Sequence, residues 1–172
     1  MPHVETHDGV AVLASGDTIL VVYSTHAVLH RTAWLFDRVD DILGEHPGVA
    51  SWAAMMVVLD TAEPPDAATR DENRRRLRRI GSRVRRLVTV ALGDGFRCAI
   101  IRGVMRTLAI LTGHSKVHLI ESSIEGGLRA VDAARSDRTP SMHALERQLA
   151  MAFHALSLPS PSSENRGHSP PA

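Results

Sequence analysis

The chain has 172 residues, 44% hydrophobic and 23% charged, which suffices for one domain with a substantial aliphatic core and a formal net charge of only +1. Its single cysteine, Cys98, excludes an internal disulfide framework, and the N-terminus lacks the basic start and apolar run of a signal peptide. No uncharged apolar stretch is long enough to cross a bilayer, so the expected location is cytoplasmic, with no transmembrane segment.

Val10 to Ala14 and Thr18 to Tyr23 are apolar, β-branched runs joined by the short turn Ser15-Gly16-Asp17, which predicts a hairpin. A helix is expected from His26 to Leu43, with Val28, Leu35, Val39 and Ile42 on one stripe, Leu29, Phe36 and Leu43 beside it, and Gly44 placed to end it. Trp52 to Leu59 is apolar without alternation, as expected of a strand covered on both faces. Pro64-Pro65-Asp66 then opens a helix, with Asp66 as its N-cap.

That helix is the most polarised part of the chain. Nine arginines fall between Arg70 and Arg86, opposed only by Asp71 and Glu72, so the window carries +7 and everything else carries −6. Leu77, Ile80 and Val84 form a narrow inward stripe, and arginines take most of the remaining circumference. Three readings stay open: a solvated face, a docking face for an acidic protein, or a patch for nucleic acid or an anionic surface. Nucleic acid is disfavoured, because the segment has no aromatic residue to stack on bases.

Leu87 to Leu92 reads as a strand, followed by Gly93-Asp94-Gly95 and a very apolar helix from Phe96 to Thr112, closed by Gly113. Val117 to Glu121 is a short strand, and Ser122 to Glu125 has the spacing of a capping box for a helix to about Arg135. After the breaker Ser136 to Pro140, the residues Met142, Leu145, Leu149, Phe153 and Leu156 recur at helical spacing and predict an appended helix over 140–156. Residues 157–172, rich in proline and serine, read as a disordered tail after a single domain over 1–156. Helices between successive strands imply an α/β fold with a mostly parallel sheet of about five strands and an N-terminal hairpin.

This element order, with Val57-Val58-Leu59-Asp60 ending a strand, resembles the STAS superfamily of anti-sigma-factor antagonists and its lipid-binding relatives, over roughly Val10 to Arg135. The resemblance implies a non-enzymatic regulatory or binding module. In that family an Asp-Ser pair opens the next helix, and its serine is the phosphorylation switch. Here the corresponding place is Asp66-Ala67, so no hydroxyl stands there, while Thr61 and Thr69 lie close by.

Catalytic and cofactor motifs find no footing. Gly93-x-Gly95 lacks the third glycine of a dinucleotide fingerprint, where Cys98 stands, so no cofactor is expected. His26 and His30 are four apart without a third ligand, so no metal is expected. Ser115 lacks the second glycine of a nucleophile elbow. The expected contact face is therefore Asp60, Thr61, Asp66, Arg74, Arg75, Arg78 and Arg79, turned to an acidic protein partner. The helix over 96–112 carries more apolar surface than one sheet face needs. Its surplus around Ile101, Met105 and Leu108 is expected to meet the appended helix, a second copy in a homodimer, or a lipid or other apolar ligand.

Overall fold

A computed structural model describes residues 3–59, 65–93, 96–111, 113, 116–136 and 139–159, without the side chain of Arg97. The strands are β1 (Glu5–His7), β2 (Val10–Ser15), β3 (Thr18–Tyr23), β4 (Trp52–Val58), β5 (Val84–Ala91) and β6 (His118–Glu121). The helices are α1 (Leu29–Glu45), α2 (Ala67–Ile80), α3 (Phe96–Leu111), α4 (Ile124–Ala134) and α5 (Met142–Ala155). No helix among the described residues is long and apolar enough to cross a membrane.

The six strands form one sheet in chain order, β1-β2-β3-β4-β5-β6. The first three are antiparallel neighbours, and β3 to β6 run parallel. One strand more is present than the sequence led us to expect. β1 is only three residues long and mostly polar, yet Asp8 and Gly9 both take positive φ, 45° and 81°, and so close a tight two-residue hairpin onto β2.

Topology dictates the layers. Each parallel step moves to the next strand in the same direction, so right-handed crossovers place α1, α2 and α3 on one face of the sheet. α4 and α5 follow the last strand and cover the other face, where Leu128, Val131, Leu145, Leu149 and Phe153 pack on Leu13, Leu20, Val22, Met55, Val88 and Val90. Close approach matters here: a Cβ on Gly127 of α4 would run into Val90 Cγ2 and Met55 Cε. The appended helix thus lies across the sheet from α3, and does not cover it as expected. β2 and β3 present their own apolar residues on that far side, and α5 takes them.

Several boundaries also differ from expectation, each for a local reason. α1 runs through Gly44 to Glu45, and Leu29 at its start is exposed. Val84 begins β5 and does not extend the arginine helix, which ends in a 3-10 turn at Gly81–Arg83. Ser123, one residue after the expected cap, is the N-cap of α4, its Oγ accepting from Gly126 N at 3.1 Å. The Asp66 cap on α2 forms as the sequence suggests, with Oδ1 accepting from Thr69 N at 2.7 Å.

Candidate functional site

Of the expected contact face, Asp60 and Thr61 lie outside the described residues. The remaining five are on α2 or cap it, but their charges are largely spent within the chain. Arg74 pairs with Asp71 at 3.0 Å, and Arg75 Nε donates to Glu72 at 3.0 Å. Arg78 donates to the Leu111 carbonyl at the end of α3, 2.9 Å away, and Arg79 pairs with Asp40 of α1. Arg76, which sequence reasoning passed over, is the most engaged: it reaches Glu72 and Asp37 at 2.7 Å each and Asp40 at 3.4 Å. That hydrogen bond from Arg76 holds the Glu72 carboxyl below the usual carboxylate range.

The other arginines of the window serve as staples. Arg70 donates to the Pro65 carbonyl at 2.8 Å, and Arg83 to that of Val49 at 3.5 Å. Arg85 lies on β5 and joins Asp17, Ser51 and Ser136. Asp66 has its carboxyl lowered by the backbone hydrogen bond from Thr69. Thr69 itself is fully buried, so its hydroxyl offers no surface for modification in this fold, and Ala67 opens α2 without one.

The second expected face leads somewhere more specific. Ile101 and Leu108 are buried and Met105 is half-buried, and all three point beneath α3 into a cavity of about 130 Å³. This space lies between the sheet and the layer formed by α1, α2 and α3. Its floor is Ile19, Val21 and Tyr23 of β3, Ala54, Met56 and Val58 of β4, and Val84 and Leu87 of β5. Leu35, Phe36 and Val39 of α1 form one wall, and Asn73, Leu77 and Ile80 of α2 the roof.

The cause is visible in α2. A helix roofing a sheet fills the layer with large apolar side chains, but here the inward line is Thr69, Asn73, Leu77 and Ile80, and only Thr69 and Ile80 are buried. The effect is visible in β4. Its residues facing α4 and α5, Ala53, Met55 and Val57, are each 0% exposed. Ala54, Met56 and Val58, on the opposite side of the same central strand, are only half-buried. A strand expected to be sealed on both faces is sealed on one, and on the other only at Trp52. The stripe that betrays this was legible as narrow in the sequence; that it left room for a cavity was not.

Polar groups at the cavity are few. Tyr23, Thr25, Thr32 and Asn73 line it, and among the described residues no Lys, Arg, His, Asp or Glu does. Burial pushes the Tyr23 hydroxyl's pKa up, opposed by its hydrogen-bonding interaction with the Thr32 hydroxyl and by the charge of Arg31. Among the described residues no group of three or more His, Cys, Asp or Glu is placed to hold a metal ion. His30 instead meets Asp8 at 3.1 Å. Cys98 is buried and its thiol donates to the Leu92 carbonyl at 2.9 Å, while Gly95, His114 and Ser115 lie outside the described residues. No protein-family model matches this chain, and no curated protein does.

Proposed function

We propose that this protein is a non-enzymatic, STAS-like module that carries or senses a small apolar ligand held between the sheet and α2. One observation carries the reading: on the central strand, Ala54, Met56 and Val58 border a cavity while their neighbours on the other face are fully covered. Leaving apolar surface unpacked in the middle of a sheet forfeits dispersion contacts, so a protein that keeps such a space is less stable than one that fills it. A ligand of matching shape recovers those contacts. The lining is nearly all apolar, as small-molecule sites are, and Ile101, Met105 and Leu108 supply the wall on the α3 side.

Docking to an acidic protein is the second reading, supported by the exposure of the Arg75 side chain (72%) and the Arg79 side chain (62%) on the outer surface of α2. The two readings connect, because α2 is both the roof of the cavity and the bearer of that surface. Nucleic-acid binding has the least support, since eight of the nine arginines are engaged within the chain.

The test uses toluene as a probe with methyl-labelled protein followed by NMR. Saturable shifts at Met56, Met105 and Ala54, together with a rise in Tm that grows with probe concentration, are the expected result. Ala54→Leu, which fills the space, is expected to raise stability by about 1 kcal/mol and abolish both effects. Shifts scattered over the surface, or none in the wild type, overturn the reading.

A further inference from the structure

The cavity is not uniformly apolar, and its one polar end narrows the ligand. Thr32 sits in the first turns of α1 and is 1% exposed. A threonine inside a helix ordinarily turns its hydroxyl to the carbonyl four residues back. Thr32 does not: its backbone N–H bonds to Val28 O at 3.0 Å, while its Oγ1 makes no hydrogen bond of ordinary geometry and has the Tyr23 hydroxyl as its polar neighbour. The side chain lines the cavity beside Tyr23, which is itself 4% exposed and ends β3.

Position along the sheet adds to this. Tyr23 pairs in register with Val58, at the carboxyl ends of the parallel strands. Ile19, Ala54 and Leu87 mark the opposite end of the floor and are wholly apolar. Apart from Asn73 in the roof, the described lining therefore has a polar head and a hydrocarbon body. Among the described residues no Lys, Arg, His, Asp or Glu lines it, so they offer nothing to compensate a charged ligand.

We infer that the cavity selects a small neutral molecule, mostly hydrocarbon, with one hydroxyl or carbonyl oxygen that bonds to the Thr32 hydroxyl. This rests on the cavity reading above and specifies its ligand. By size, the space suits roughly a substituted benzene ring, since an apolar protein cavity of about 150 Å³ takes benzene. Both donor and acceptor are available at a hydroxyl, so alcohols, phenols and ketones share the chemistry, while a carboxylate does not fit it.

The experiment compares toluene with p-cresol, which adds one hydroxyl to the same skeleton, by calorimetric titration of wild type, Thr32→Val and Thr32→Ser. Thr32→Val keeps the shape and removes the hydroxyl. It is expected to weaken p-cresol about tenfold, the size of one net hydrogen bond, and to leave toluene unchanged; Thr32→Ser restores p-cresol. Equal weakening of both probes, or a lowered Tm without change in the p-cresol to toluene ratio, makes Thr32 a packing residue and overturns the inference while leaving the cavity standing. Failure of both probes to bind wild type overturns the cavity reading and this one with it.

Discussion

Asp17 is 6% exposed in the β2–β3 turn, and around it the chain assembles Arg85, the buried Arg135 and the backbone N–H of Ser136, which donates at 2.9 Å. A buried carboxylate is tolerable only with such partners; neutralising it leaves Arg85 with the neutral acceptors of Ser51 and Ser136 and Arg135 with Asp132. Asp17→Asn is expected to lower unfolding free energy by about 3 kcal/mol, read from urea denaturation. The sequence shows Asp17 as a turn residue and nothing more, because its partners stand 68 and 119 positions away. Asp8 makes the opposite case, an exposed residue with a pH signature. Hydrogen bonds from Arg31 and then His30 lower its pKa from 3.8 to about 2. Its stabilising effect is complete above the unfolded value near 3.8 and disappears as pH falls through about 2. In thermal melts between pH 5 and pH 2, Asp8→Asn, which still tolerates the φ of 45°, is expected to flatten that part of the acid limb; an unchanged slope counts against the pairing.

Among the elements, α2 is the one whose tertiary attachment is chiefly ionic. Its inward line is too polar to hold it by burial alone, and Arg76 and Arg79 tie it sideways to Asp37 and Asp40 of α1. Arg76→Leu is expected to cost about 1 kcal/mol, and in hydrogen exchange to speed the amides of α2 while leaving β4 and β5 protected. High salt should do the same to the wild type in milder form. Uniform acceleration across the molecule would show that α2 is not a separable roof. Elements of this kind were mostly readable in advance: Asp66 as a cap, the β2–β3 hairpin, the apolar run of β4. What failed were places where local chemistry is ambiguous. Ser122 and Ser123 are equal candidates for a cap, and Val84 suits a helical stripe as well as the first position of a strand.

For the molecule as a whole, sequence pattern predicted a mostly parallel α/β arrangement because strands and helices alternate, and alternation constrains topology strongly. It did not predict which helices share a face, since that depends on the direction in which successive strands are added. The cavity shares this character: it arises from what three helices jointly fail to fill, a property of none of them singly. The resulting molecule has one tightly closed side, with Met55, Val57, Val88 and Val90 at 0% exposure, and one side with room in it.

Strand order has a bearing on biogenesis. Since the sheet runs β1 to β6 without a single insertion, every strand pairs with the one made just before it, and the growing chain never has to reserve a gap for a later arrival. During synthesis the sheet can therefore extend at its newest edge, with α1, α2 and α3 settling in turn. The other side has no such piecemeal cover: Leu13, Leu20 and Val22 wait for α5, which ends at Ala155. Until the ribosome has released that helix, the nascent protein shows bare aliphatic surface to whatever holdase or neighbour is at hand, and its vulnerability to aggregation is concentrated in that interval.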